Sequence, residues 1–218
     1  MTSSKERILQ MLASGKINSD EANKLLDAIT ERRVSKFKIF FDPFDKLTVG
    51  LGIALSILFA TLSILLSKFN IRYDGALDLH IVDRKVLFLE AFFDQFVAWP
   101  CTALVFWIIT IKYAKGGRFI DFLMGVGVAR FPMLLGGFMG AMISLLFSGI
   151  ISKRSVLLLS VAFVIPCCVW FITLLFFSFK TASGLSGLRL TVLFIVSLVV
   201  AELLSINLLE YFVVNFAT

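Results

Sequence analysis

Leu47 to Ser67 is an unbroken apolar stretch without a single charged residue, and it limits the chain to few architectures. About 20 apolar residues cover the hydrocarbon core of a bilayer when coiled into a helix, which satisfies its own backbone polar groups. Comparable runs follow at about 92–113, 122–150, 155–179 and 190–212. The 218 residues are 59% hydrophobic with a mean hydropathy of +0.94, more apolar surface than a soluble domain of this size needs. The reading is an all-α membrane protein with five transmembrane helices, spans starting at 47–67. Lysines flanking the first span predict a cytoplasmic N-terminus, and an odd number of spans then leaves the C-terminus extracytoplasmic.

The net charge of +6 lies mainly in the N-terminal segment and the loop at 112–118. That placement suits an anionic membrane surface, so the lipid bilayer is an expected partner and nucleic acid is not. Cys101, Cys167 and Cys168 all fall inside apolar runs, and an odd count there offers no disulfide framework. The polar start MTSSKERILQ is unlike a signal peptide, so insertion is expected to rely on the first span.

Residues 1–35 differ from everything after them. Ser3 with Glu6 and Asn18 with Glu21 have capping-box spacing. With Gly15 as a stop between them, this predicts a cytoplasmic hairpin of helices over 4–14 and 19–33. Ile8, Leu9 and Leu12 would face Ala22, Leu25, Leu26 and Ile29 at helical spacing. The stretch resembles the SHOCT-like helical-hairpin modules of bacterial proteins, through Leu12, Gly15, Lys16, Ile17, Glu21, Ala22, Leu25 and Leu26. So small a module buries little surface alone. Leu9, Leu12, Leu25, Leu26 and Ile29 are therefore expected to bind a protein partner or a second copy; a solubilising tail is the alternative. Residues 36–46, with lysines among Phe37, Phe40, Phe41 and Phe44, read as a basic aromatic juxtamembrane segment ahead of the membrane domain at 47–218.

Lys112 to Gly140 joins a basic loop to a glycine-crowded helix. Gly136 and Gly140 have the GxxxG spacing that lets helices approach closely, so this is the expected central packing helix. The loop-to-helix pattern resembles the Yip family of integral membrane proteins, through Gly116, Gly117, Phe119, Gly127, Ala129, Pro132, Leu134, Leu135 and Gly136. The proline in Asp42-Pro43-Phe44 is also similar to that family's pattern. The resemblance implies five spans, N-terminus inside and C-terminus outside. Eukaryotic Yip members are associated with Rab GTPases, but the SHOCT-like start points to a bacterial type, and the Rab role is not carried over. The residues expected to pack helices are Gly116, Gly117, Gly127, Pro132, Gly136 and Gly140.

Residues 68–94 mix basic and acidic side chains and read as a solvated extracytoplasmic loop. Asp74-Gly75 is a turn signal and Leu77, Leu79 and Ile81 alternate with polar residues, which allows a short hairpin. The sole histidine, His80, matches no metal-ligand spacing, and no metal site is expected. For the third span, two registers fit: one begins near Phe122 and carries Arg130 inside the helix, the other makes 118–130 interfacial and spans from Phe131. Pro166 should kink the fourth span, and TASGLSGL should turn the chain into the fifth.

The charge-free run before Glu202 is too short to span, which puts this carboxylate well inside the bilayer. An intramembrane carboxylate calls for a partner, and Arg130 lies at comparable depth in the first register. Glu202 and Arg130 thus form a candidate polar site, read either as a structural tie or as a proton or substrate pathway. No P-loop, GxGxxG or HExxH motif occurs, and a triad would have to use His80, far from the cysteines. No catalytic residue and no cofactor is expected. Two functions follow: a non-enzymatic scaffold or adaptor organising proteins or lipids, or a small transporter or transporter subunit using Glu202 and Arg130.

Overall fold

The computed structural model describes residues 4–14, 16–26, 40, 42–44, 46–73, 75–77, 80–81, 84–113, 117–147, 149–150 and 152–216, without the side chains of 4–7, 80–81, 153 and 213–216. Ser3, Gly15, Ile29, Asp74, Gly116 and most of 36–46 lie outside the described residues. The chain divides into two compact units, Met1–Pro43 and Phe44–Thr218.

In the first unit, α1 is Ser4–Ala13 and residues 19–26 form a second helix, α2. The capping box at its start is reciprocal: Glu21 N–H donates to Asn18 Oδ1 at 2.8 Å, and Asn18 N–H to a Glu21 carboxylate oxygen at 3.0 Å. Two otherwise unsatisfied donors are thereby paired, which accounts for a helix beginning there.

The second unit runs α3 (Val49–Leu66), a 3₁₀ turn (Ser67–Phe69), β1 (Ile71–Arg72), β2 (His80–Ile81), α4 (Phe88–Phe96), α5 (Ala98–Thr110), α6 (Phe119–Ala129), α7 (Phe131–Phe147), α8 (Lys153–Ser183) and α9 (Gly187–Phe216). Among the described residues, five helical segments are long and apolar enough to cross a membrane: Val49–Phe69, Phe88–Thr110, Phe119–Phe147, Arg154–Ser183 and Gly187–Phe212. The two-residue strands pair antiparallel, Ile71 with Ile81 and Arg72 with His80, the short hairpin that the alternation allowed.

α6 is the axis of the bundle. Every residue from Met124 to Ala129 is buried. A Cβ on Gly125 would run into Ser178 of α8, and one on Gly127 into Ser56 of α3 and, at 2.8 Å, Trp99 of α5. Two residues span about 200° around a helix, so these glycines open opposite faces of α6 to its neighbours. Polar side chains lock the approach: Trp99 Nε1 donates to Leu123 O at 2.7 Å and Ser56 Oγ to Met124 O at 3.3 Å. Phe106, Phe122, Phe179 and Phe194 pack with ring centroids 5.1–6.1 Å apart and join α5, α6, α8 and α9.

At Arg130 the third span changes helix. Arg130 caps α6 with its N–H on Gly127 O, and α7 begins at Phe131, placing Pro132 in the first turn, where a missing N–H breaks nothing. Gly136 faces Cys167 of α8 at 3.2 Å from an added Cβ, whereas one on Gly140 would meet nothing within 4 Å. α8 runs through Pro166 and ends at Gly184, whose φ of 65° is the left-handed conformation that glycine adopts without strain. The turn into α9 is three residues long, as TASGLSGL suggested.

Leu47, Gly117, Asp121, Thr181 and Gly184 line one cavity, and Arg189 stacks on Tyr113 at 5.9 Å. One end of the bundle therefore gathers the start of α3, Tyr113, Gly117 and the α8–α9 turn. Substituting Gly127 by valine should force α3 and α5 off α6, destabilising by about 1–3 kcal/mol as overpacked cores do. Gly140→Ala should change stability little. Thermal unfolding in detergent of the two variants checks the contrast.

Candidate functional site

The site is a buried polar cluster where the loop after α3 enters the helical bundle. Residues 68–94 were expected to be solvated throughout; instead Ile71, Tyr73, Gly75 and Ala76 are buried, and Glu90, Asp94 and Gln95 are buried within α4. The reason is pairing. Arg84 grips both oxygens of Glu90 at 2.6 and 2.8 Å, while Glu90 also accepts the Leu87 N–H at 3.1 Å and so starts α4. Arg72 Nε reaches Asp94 at 3.2 Å. Buried charges persist when opposite charges and hydrogen bonds replace water. The Arg84 guanidinium is held above its usual pKa by that bond to Glu90.

Tyr73 is wedged against α7, and a Cβ on Gly137 would lie 2.6 Å from its Oη. The absence of a side chain at Gly137 is what makes room for the ring. Burial pushes the Tyr73 phenol above its ordinary range, so the hydroxyl is neutral. Its oxygen has no hydrogen-bond partner at bonding geometry among the described residues; the Ser63 side chain and the Arg130 charge act on it.

Beyond Tyr73 the backbone lacks regular structure, and side chains satisfy it. Arg130 Nη2 donates to Gly75 O at 3.1 Å, and its Nη1 reaches Gln95 Oε1 at 3.2 Å and Gln95 O at 3.4 Å. From α9, Ser205 Oγ accepts the Ala76 N–H at 3.1 Å and Glu202 Oε2 the Leu77 N–H at 2.9 Å. A Cβ on Gly75 would stand 3.0 Å from Glu202 Oε1. Arg130 and Glu202 thus converge on the same loop, two residues apart along it. A cavity of about 10 Å³ lies between Ser63, Tyr73, Gln95, Arg130 and Phe171, room for about one water.

The sequence pointed to Arg130 and Glu202 but passed over Tyr73, Gly75, Gln95 and Ser205. Asp94-Gln95 at the start of an apolar run carried the same signal as Glu202. Of the residues expected to pack helices, Gly127, Pro132 and Gly136 lie in the core around this site, Gly140 is buried beside open space, and Gly117 lines the cavity at the opposite end. Gly116 lies outside the described residues.

In the N-terminal unit Ile8 and Ala22 are buried, whereas Leu9 is 46%, Leu12 36% and Leu25 41% exposed; Leu26 is half-buried. The two helical stripes leave these leucines exposed, because so small a unit buries little surface.

Comparison with known proteins bears on this unit. Residues 4–33 match the family described as a SHOCT-like domain. No curated protein and no solved structure matches the chain.

Glu202→Ala should leave the Leu77 N–H buried without its acceptor, costing about 1–3 kcal/mol, while Glu202→Gln keeps an acceptor and should lose less. Arg130→Met should release Gly75 and Gln95 together. Thermal unfolding, with limited proteolysis aimed at residues 70–78, should show Glu202→Ala and Arg130→Met each less stable and more readily cleaved than Glu202→Gln.

Proposed function

We propose that this chain is a non-enzymatic integral membrane scaffold or adaptor, of the bacterial Yip type suggested by its third span, inserted in the cytoplasmic membrane. The five-span unit organises neighbouring proteins or lipids, and the SHOCT-like segment recruits a protein partner or a second copy. The observation that carries this reading is the set of exposed leucines, Leu9, Leu12 and Leu25, on a unit too small to bury them, joined to an apolar five-helix bundle. An apolar stripe on a small polar helical unit marks an interaction surface.

Orientation with the N-terminus inside is supported by charge. Lys112, Arg118, Lys180 and Arg189 cluster toward the end of the bundle where α3 starts, and such clustering favours the cytoplasmic side. The C-terminus then lies outside.

The transporter alternative would use Glu202 and Arg130 as a polar pathway. Both side chains are engaged with the loop backbone, and the cavity beside Arg130 is only about 10 Å³, which favours the structural role. A proteoliposome flux abolished by Glu202→Gln in a protein of unchanged stability would reverse that preference.

Removing residues 1–35, or changing Leu9 and Leu25 together to aspartate, should leave membrane insertion intact while reducing assembly size or stripping co-purifying proteins. Native mass measurement after mild detergent extraction reads this directly. If neither mass nor associated proteins change, the adaptor reading fails.

A further inference from the structure

We infer that the cavity where α3, α6 and α8 end holds the headgroup of a phosphatidylethanolamine lipid, its ammonium on Asp121 and its phosphate on Arg118. The cavity encloses about 310 Å³, within the range of small-molecule sites. Phe44, Leu47, Val49 and Met124 give it an apolar wall, and Asp121, Thr181 and the backbone at Gly117 and Gly184 a polar one. A lining divided in this way suits an amphiphile.

The helices around the cavity set its level. α3 starts at Val49, α6 starts at Phe119 and α8 stops at Ser183, so three apolar helices have their ends at this one place. Where helices that cover the hydrocarbon core stop, water and headgroups begin, because the backbone beyond them needs polar partners. The cavity therefore lies at the boundary between hydrocarbon and headgroups.

Its charges are arranged for a ligand of both signs. Arg118 Nε donates to Asp121 Oδ2 at 3.1 Å, and Arg118 Nη2 to Asp121 Oδ1 at 2.9 Å. These bonds use one edge of the guanidinium. Its outer edge, formed by Nη1 and the second Nη2 hydrogen, makes no hydrogen bond among the described residues, and Arg118 is 69% exposed. That fork fits phosphate oxygens. Asp121 is the one charged residue in the described lining, and its oxygens keep lone pairs for a further donor. Thr181 and Ala182 add the last turn of α8, where helix carbonyls run out of intrahelical partners and the dipole is negative.

The lining thus selects a cation that donates hydrogen bonds, and the guanidinium beside it selects an anion. A primary ammonium meets the first need. A trimethylammonium has no N–H and calls for an aromatic cage, whereas Phe44 is the sole aromatic ring in the described lining. A phosphoglycerol headgroup has no cation to offer Asp121. This site requires the bundle to sit in a membrane but no partner on the N-terminal unit, so it stands or falls separately from the adaptor reading.

The test uses the full chain in neutral detergent, titrated with dioleoyl phosphatidylethanolamine, phosphatidylcholine or phosphatidylglycerol and read by native mass spectrometry. One phosphatidylethanolamine should be retained in preference to either of the others. Asp121→Asn should weaken it roughly fivefold to tenfold and, by releasing Arg118, raise phosphatidylglycerol retention, so that the order of these two lipids reverses. Loss of a purely structural ion pair would not reverse that order. Arg118→Gln should weaken phosphatidylethanolamine by a similar factor without raising phosphatidylglycerol, and Thr181→Trp, which fills the cavity, should lower retention with both charges intact. Helicity and melting temperature verify that each variant is folded. A parent protein that does not prefer phosphatidylethanolamine to both other lipids, or an unchanged preference in folded Asp121→Asn, would overturn the assignment. So would displacement of the lipid by equimolar glycerophosphoethanolamine, since the ligand would then be a soluble zwitterion.

Discussion

Backbone amides and carbonyls inside an apolar bundle have no water to bond, and each must be satisfied by the protein itself. The helices do this internally. The loop after α3 cannot, and residues 75–77 are accommodated among the helices because Arg130, Ser205 and Glu202 bond Gly75, Ala76 and Leu77 in turn. This requirement explains why two charges occur in otherwise apolar spans. It also explains the pairing of the loop's own charges, Arg72 with Asp94 and Arg84 with Glu90. The loop is thereby part of the core, and the bundle around α3, α4, α7 and α9 depends on it.

The second condition is close approach. α6 reaches α8 through Gly125 and α3 and α5 through Gly127, and α7 receives Tyr73 at Gly137. Without a hydrophobic force between helices in lipid, such van der Waals contact is a main source of cohesion. The hydrogen bonds of Trp99 and Ser56 to α6 carbonyls add direction to it. Functionally, the result is a bundle whose polar groups are turned inward and whose outer faces carry leucine, valine and isoleucine. Such a surface suits contacts with lipid and with other spans, while the N-terminal unit adds an exposed leucine patch of its own. The scaffold reading rests on that division of surfaces.

Much of this architecture was readable from the chain alone. Five helices long and apolar enough to cross a membrane followed from run length, because burying a helical turn in hydrocarbon requires apolar residues at every position around it. The capping box at Asn18 and Glu21 and the turn before α9 followed from local backbone chemistry, which depends on residues three or four apart. Arg130 and Glu202 stood out because charge is costly in a span. What remained outside reach was their purpose. The loop looked solvated because its composition is polar, and the first turn of α4, before Phe92, looked like loop because Glu90 interrupts the apolar pattern.

Tertiary structure decided those points through partners distant in sequence: Glu202 lies 125 residues from Leu77, and Arg130 lies 55 from Gly75. Whether a polar residue faces water or another polar residue depends on which elements come together, and no local pattern records that. The same holds for GxxxG, where Gly136 meets Cys167 while Gly140 borders open space, although the two glycines are equivalent by spacing. The sequence by itself determined which segments are helices and how apolar they must be, because those properties are set within a few turns. Only the assembled bundle decided which charges pair, which glycines touch and where the loop goes, because each depends on contacts between spans.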